Sequence, residues 1–337
     1  MNKKDQIGIF GLNYEDNLEN FYINSLKNIK YDNIKFLENN FLFYVFCILQ
    51  KFNNEYLFRL FNFFQNIKFK KFIDKNDLKI LIIFKGIELD SNIYKIIKNK
   101  KIILVNIYPD DPFNFESPAT SSKNIIKNIE NYDIFCIWSK KLKKKLESRY
   151  KNTIFFYLPF GYSEEKHFVK KNNIIKKKIS FIGSYDKKRY DLLKGINQTV
   201  DIYGNDWPSF ERHKVHKYVK NKELAKIIAQ SEISLNLLKK QNFDSHNMRT
   251  FEIPSMRGLM LTTRSYEQNI FFPENRASLM FTSTKELNKK IEYIFNNPII
   301  TKKIRARAYL MSKKHSYNMR LKYLIKHLYE INKIRKS

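Results

Sequence analysis

The sequence predicts an α/β protein built as two doubly wound parallel sheets, and three observations carry that prediction. The chain has 337 residues, more than a single core usually organises, so two domains of roughly 150 residues each are expected. Short apolar runs rich in β-branched and aromatic residues alternate with longer amphipathic segments, the pattern of a parallel sheet covered by helices. The alternation stops once, at a polar and basic stretch, and then begins again.

In the first half, strands are expected at QIGIF (6–10), KILIIF (79–84), KIILVNIY (101–108), YDIFCIW (132–138) and NTIFFYL (152–158). Helices are expected near 15–28, 41–65, 91–99, 121–130 and 139–149. The segment 41–65 is aromatic on nearly every side, which predicts a helix buried within its own domain rather than one lying on a membrane. This first domain runs over 1–168. The stretch VKKNNIIKKK (169–178) supplies the linker, 169–177.

After the linker, KISFIG (178–183), TVDIYG (199–204), EISLNLL (232–238), LMLTT (259–263) and ASLMFTS (277–283) read as strands. Helices are expected near 186–196, 221–230, 249–257, 284–296, 299–313 and 316–334. The second domain covers 178–315, and 316–337 is expected to form a C-terminal helix that packs back toward the first domain. Sheets of this kind bind ligands at the carboxyl ends of their strands, here expected to face a crevice between the domains.

Composition bounds the function. Lys and Arg number 63 against 33 Asp and Glu, a net charge of +30, which invites nucleic acid or an anionic membrane as partner. Gly and Pro number only eight each while Lys, Asn, Ile, Phe and Tyr abound, the usage an AT-rich genome imposes on any protein. Apart from local runs such as KKLKKKLESRYK (140–151) and the C-terminal tail, the basic residues spread along the whole chain, so no dedicated basic arm is visible. A hydrophobic fraction of 43% excludes wholesale disorder. Cys47 and Cys136 both sit in apolar runs, and no disulfide framework or zinc site follows. The opening residues lack the apolar core of a signal peptide, and FLFYVFCIL (41–49) is about half the length that spans a bilayer. A cytoplasmic location is expected.

Two stretches can carry chemistry. The strand KISFIG ends at Gly183 and leads into SYDKKRYDLL, a strand, turn and helix in which the helix start, Lys188 and Arg189 could meet a phosphate. In SHNMRTFEIPSMRG (245–258), Asn247 is a good N-cap, Pro254 is tolerated near a first turn, and Gly258 marks the stop. Glu252 in the first turn complements the helix dipole without any ligand. Arg249 and His246 at the same positive end are not explained in that way. A ligand combining phosphates with hydroxyls would use all three.

SHNMRTFEIPSMRGLMLT, preceded by ELAKIIAQSEISLNLLKKQN (223–242), resembles the donor domain of GT-B glycosyltransferases of the CgeB-like, spore-maturation group. The resemblance extends through FTSTKELNKKIEYIFNNP (281–298) and HSYNMR (315–320). In the first half it takes in residues 80–114, YDIFCIWSKKLKKKL (132–146) and FYLPFGYSEEKHF (156–168). It implies two Rossmann-like domains facing a cleft and metal-independent transfer of a sugar from a nucleotide-sugar donor. It implies no cofactor beyond that co-substrate.

Carried over by position, the resemblance implies that Glu252 grips the nucleotide ribose. Arg249, His246 and Asn247 fall beside the diphosphate and donor sugar, Gly183 and Arg189 on a glycine-turn phosphate site, and Asn236 and Lys239 at a strand end facing the same cleft. KYVKNKEL (217–224) falls where the base is usually read. Asp244 stands eight residues before Glu252, a spacing found in many retaining enzymes but not general in this group, and is read as coincidence. Position 257 is commonly Gly in the group and is Arg257 here, which bears on the shape of the donor pocket.

On the acceptor side, Asp110 and Asp111 in YPDDP (108–112) are adjacent and point apart on an extended chain, so they suit acceptor hydroxyls or a general base better than one metal ion. His167 is a further candidate base. Lys85 and Gly86, after the strand LIIF, have an acceptor-side or structural role. Trp138 and Trp207 read as core or rim aromatics. The expected acceptor is a glycan, a lipid-linked molecule or a protein. The basic surface allows a peripheral contact with an anionic membrane, and no specific nucleic acid is expected. Competing readings are a basic nucleic-acid or membrane-binding protein and a non-catalytic relative with a structural role.

Overall fold

In the computed structural model, which describes residues 5–52, 54–169, 176–242 and 244–334, the strands form two six-stranded sheets, each within its own unit. The first unit comprises residues up to Pro159 together with those from Leu321 onward, and the second comprises Phe160–Arg320. Most of the expected linker, 170–175, lies outside the described residues.

The first unit runs β1 (Gln6–Gly11), α1 (Leu18–Asn28), β2 (Ile34–Glu38), α2 (Asn40–Phe52), α3 (Glu55–Lys75), β3 (Leu78–Phe84) and α4 (Ser91–Lys98). It continues through β4 (Ile103–Tyr108), α5 (Lys123–Asn128), β5 (Ile134–Ile137), α6 (Lys140–Arg149) and β6 (Ile154–Tyr157). Its strands lie in the order β2-β1-β3-β4-β5-β6, all parallel. The inner strands are buried almost residue by residue, as expected of a parallel sheet covered on both faces. Three of the helices begin where small polar side chains accept their first free amides. Asp90 caps α4, Ser122 caps α5 and Ser139 caps α6.

The second unit runs β7 (Lys176–Ile182), α7 (Lys187–Lys194), β8 (Val200–Tyr203), β9 (Lys214–His216), α8 (Asn221–Gln230), β10 (Ser231–Asn236) and α9 (Arg249–Ser255). It ends with β11 (Met260–Thr263), α10 (Tyr266–Phe271), β12 (Leu279–Phe281), α11 (Thr284–Asn296), α12 (Pro298–Ser312) and the start of α13 (Tyr317–Ile334). The order is β12-β11-β10-β7-β8-β9, again all parallel. Ile179, Phe181, Ile202, Ile233, Leu235 and Leu261 form the centre of its core. Residues 160–168, which the sequence places in the first domain, belong here. Phe160 N–H donates to His246, and Tyr162 bridges to Ser316.

Two differences from the sequence reading have a common cause. β2 and β9 were not expected, and both are edge strands whose residues are mostly half-buried or exposed, so they lack the continuous apolar run that marks an inner strand. The segment 41–65 is not one buried helix. Asn54 starts a second helix by accepting the Leu57 amide, and of the thirteen residues of α2 only Phe46 is buried. Aromatic residues on every side establish that a helix is apolar but not that a neighbour covers each side.

Candidate functional site

The turn that closes β7 is held by two arginines of the second unit. Arg249, the first residue of α9, donates from Nε to Ile182 O at 3.3 Å. Arg189 on α7 donates from Nη1 to Ser184 O at 3.1 Å and from Nε to Leu237 O at 2.8 Å. Between the two anchored carbonyls stands Gly183, where an added Cβ would lie 3.3 Å from Arg189 Nη1. Asp186 sets the start of α7 by accepting the amides of Lys188 and Arg189, which turns Arg189 inward. Burial depresses the Arg189 guanidinium to about 10; Asp186 pulls it back upward and the charge of Arg249 adds to the depression. Two cations thus share one glycine turn with no carboxylate bonded to the Arg189 guanidinium among the described residues, an arrangement that an anion would complete.

Glu252 is the carboxylate beside them. Its side chain is 3% exposed, its Oε2 pairs with Arg249 Nη1, and its Oε1 lies 3.7 Å from His167 Nε2, beyond direct hydrogen-bond reach. His167 Nδ1 accepts the Ser163 amide at 3.1 Å, so a neutral ring carries its proton on Nε2, toward Glu252. Arg249 therefore bonds both the backbone turn and Glu252, fixing the carboxylate beside Gly183.

The backbone geometry of this region depends on a second glycine. A Cβ at Gly204, just after β8, would lie 2.1 Å from Gly183 O. Only glycine allows that approach. Gly183 O accepts the Trp207 indole N–H at 2.8 Å and Gly183 N–H donates to Tyr203 O at 2.9 Å. Trp207 acts as a brace of the turn, and Trp138 is 2% exposed in the core.

Three expected ligand groups are committed elsewhere. His246 is completely buried. Its Nε2 accepts the Phe160 amide at 3.2 Å and its Nδ1 meets Glu267 at 3.0 Å, while Phe160, Phe251 and Phe271 pack on its ring. It bolts the 160 segment to α10 and does not face a phosphate. Asn236 is buried at the end of β10, donating to Thr250 and Gln268 and accepting from Asn247. That network ties β10, α9 and α10 together. Asn247 also accepts the Thr250 amide at 3.1 Å, although it stands one residue before the N-cap position, which Met248 occupies, and not at it as the sequence suggested. Lys239 follows β10 and is half-buried. Asp244 is a turn residue at φ 65° whose carboxylate accepts the Tyr266 amide.

Arg257 is accounted for by the backbone. It takes φ 59° immediately after α9, and the amides of Arg257 and Gly258 close the helix onto Pro254 O and Ile253 O, a helix stop that favours glycine. Its guanidinium lies 3.7 Å from the centroid of Tyr309. A glycine at this position would make the same helix stop without the left-handed cost.

In the first unit, the carboxyl ends of β3 and β4 bring Lys85 and Asp110 together at 2.8 Å. Lys85 and Gly86 both take left-handed conformations, φ 56° and 71°, and Lys85 Nζ also donates to Ala119 O. Asp111 accepts the Phe113 amide at 2.9 Å, and Asp110 lies in a bend past the end of β4. Sequence reading missed Glu88. It is 2% exposed, accepts from Asn39 at 2.6 Å, and burial raises it to about 7. Its position three residues past Lys85 was the available signal. A separate cavity of about 590 Å³ in this unit is lined by Tyr31, Lys326 and Tyr329 among others, none of them a residue singled out in the sequence. Among the described residues no three His, Cys, Asp or Glu cluster as metal ligands, and no helix is long and apolar enough to cross a membrane.

Residues 187–326 match the family model described as glycosyl transferase-like. No curated protein sequence matches the chain. Among solved structures, the chain is similar to sucrose-phosphate synthase from Thermosynechococcus elongatus, at 9% identity and TM-score 0.66, over 97% of this chain and 100% of that one. It is similar to Anabaena HepE in complex with UDP-glucose, at 9% identity and TM-score 0.66, over 96% and 99%. It is also similar to the pneumococcal O-GlcNAc transferase GtfA in complex with UDP and GlcNAc, at 13% identity and TM-score 0.56, over 79% of this chain. The chain spans 60% of the length of that GtfA and of the matched chain of the GtfA/B complex. At these identities the likeness carries the fold, which is the GT-B layout of two parallel α/β sheets.

Proposed function

We propose that the chain is a glycosyltransferase of the CgeB-like group that moves a sugar from a nucleoside-diphosphate sugar to a glycan, lipid-linked or protein acceptor without a metal ion. The observation that carries this reading is the pair of arginines closing on the turn 182–184 with Glu252 held beside it. The glycosyl transferase-like match over 187–326 supports it, because it covers that pair and Glu252.

The roles follow from the chemistry. Glycosyl transfer breaks the bond between the anomeric carbon and the diphosphate oxygen, and negative charge grows on that oxygen. Arg189, Arg249 and the backbone around Gly183 meet the charge, and fixed cations need little reorganisation at the moment of reaction. Glu252, with one oxygen oriented by Arg249, accepts hydrogen bonds from the ribose hydroxyls. On the acceptor side Asp110 takes the proton of the attacking hydroxyl, with Lys85 holding its carboxylate in place.

Calorimetry tests the donor assignment. UDP, GDP and dTDP are titrated into the wild type and into Arg249→Ala and Glu252→Ala. At least tenfold weaker binding of the preferred nucleotide is expected in both, since each loses a charge-assisted hydrogen bond worth about 1.5–3 kcal/mol. Unchanged affinity in both variants, against measurable wild-type binding, rejects the site.

A further inference from the structure

Helix α3 has two apolar faces where an ordinary surface helix has one. The inward face places Phe61, Phe69 and Ile73 in the core of the first unit, with Gln65 on the same line. The outward face carries Tyr56, Leu60, Phe63 and Ile67, spaced four, three and four residues apart, and all are exposed. That spacing makes one continuous stripe along three turns, roughly 16 Å long. Helix α2 repeats the feature. Phe41 and Phe52 are 75% and 70% exposed at its two ends, and Tyr44 is 65% exposed between them. Phe46 of α2 packs against Phe58 and Phe61 of α3, so the two helices form one hairpin. The outward aromatics amount to several hundred Å² of apolar surface, more than the scattered hydrophobic residues of a typical monomer account for.

Charge selects what covers this face. The hairpin, residues 40–75, carries six basic residues (Lys51, Arg59, Lys68, Lys70, Lys71, Lys75) against two acidic ones, Glu55 and Asp74. A second copy of the chain would bring +30 against +30, and its own lysines would flank the contact. An anionic bilayer answers both features. Aromatic side chains settle at the headgroup level, and each lysine or arginine near the surface is attracted to anionic lipid. We propose that the outward face of the α2–α3 hairpin docks the protein on an anionic lipid bilayer, with the helices lying in the plane of the headgroups.

The test is flotation of the full chain with vesicles of phosphatidylcholine alone and of phosphatidylcholine with 30 mol% phosphatidylglycerol, a composition given in about the range of natural anionic membranes. The wild type is expected to float with the anionic vesicles, much less with neutral ones, and to be released by salt. Phe63→Ser combined with Ile67→Ser, and separately Tyr56→Ser combined with Leu60→Ser, are each expected to lower partitioning at least tenfold with melting temperature unchanged. The second pair keeps the test valid if the first fails to fold. Lys70→Glu with Lys71→Glu is expected to weaken binding more than Lys141→Glu with Lys144→Glu, which makes the same charge change on α6. Equal loss from the two charge pairs, wild-type flotation by the serine variants, or strong binding to neutral vesicles overturns the proposal. So does light scattering that shows a dimer converted to monomer by the serine variants, because the face would then join two copies.

Discussion

Arg189 and Arg249 reach the same backbone turn from two different helices, bonding Ser184 O and Ile182 O on either side of Gly183. The contact of Arg189 is local, five residues from Ser184, whereas Arg249 lies 67 residues from Ile182. Glu252 bonds Arg249, while among the described residues the Arg189 guanidinium bonds only backbone carbonyls, and that uneven pairing is the electrostatic signature of the site.

Arg249→Lys tests whether geometry or charge matters at this position. A lysine keeps the charge but gathers its donors on one nitrogen in place of a planar fork, so it does not reproduce the separate Nε and Nη1 bonds to Ile182 O and Glu252. Nucleoside diphosphate affinity is expected to fall at least tenfold by calorimetry, close to the loss in Arg249→Ala. Affinity near wild type would show that charge alone suffices.

Gly204→Ala is expected to destabilise the protein by about 3 kcal/mol or more and to abolish nucleotide binding, because the new methyl collides with the Gly183 carbonyl, a backbone atom that cannot rotate away. Urea denaturation measures it. A loss under about 1 kcal/mol, the range of a tolerated substitution, would mean that the turn is more plastic than the close approach implies.

Arg257→Gly removes a left-handed non-glycine residue that costs roughly 1–2 kcal/mol, and loses a stacking contact with Tyr309 worth roughly 0.5–1 kcal/mol. The variant is expected to be as stable as the wild type or slightly more so, with unchanged nucleotide affinity. Arg257→Val, a β-branched residue at φ 59°, is expected to lower the melting temperature clearly. A change of nucleotide affinity in Arg257→Gly would return this residue to the donor pocket.

Glu88 predicts a pH dependence. Burial raises its folded value to about 7 from 4.5, so the folded state holds a proton that the unfolded chain releases. Its contribution to stability is fully present below pH 4.5 and is lost as pH rises through 7. Glu88→Gln cannot ionise and retains hydrogen-bonding groups for Asn39. Its stability relative to wild type is expected to grow between pH 5 and pH 8 by roughly 2–3 kcal/mol. A constant difference across that range would contradict the buried proton.

His315 acts in the opposite direction. Burial, with Arg320 close by, depresses it to about 3, and burial likewise lowers His246. His315 stays neutral in the folded state at pH 6, so the stability it contributes is present above 6.5 and declines as pH falls, and the depression of His246 has the same sign. His315→Phe is expected to reduce the acid sensitivity of thermal unfolding between pH 6.5 and 4 by up to about 1.4 kcal/mol per pH unit.

The sequence by itself determined the two α/β halves, because inner parallel strands are buried on both faces and read as unbroken apolar runs. β3, β5 and β10 stand where those runs predict. It also singled out Gly183, Arg189, Arg249 and Glu252, since a glycine after a strand and charged groups at a helix mouth are local features. Edge strands β2 and β9 escaped, as did the short α10, because half-exposed elements have no periodicity strong enough to detect. Tertiary structure alone decided which polar side chains face inward. His246 and Asn236 are expected at the same cleft as Arg249, yet Phe160, 86 residues away, and Gln268, 32 residues away, claim them. The same holds for the α2–α3 hairpin. Whether an apolar side chain is buried depends on a neighbour distant in sequence, and nothing in the local pattern of 40–75 records that Phe41, Tyr56 and Phe63 have none covering them among the described residues.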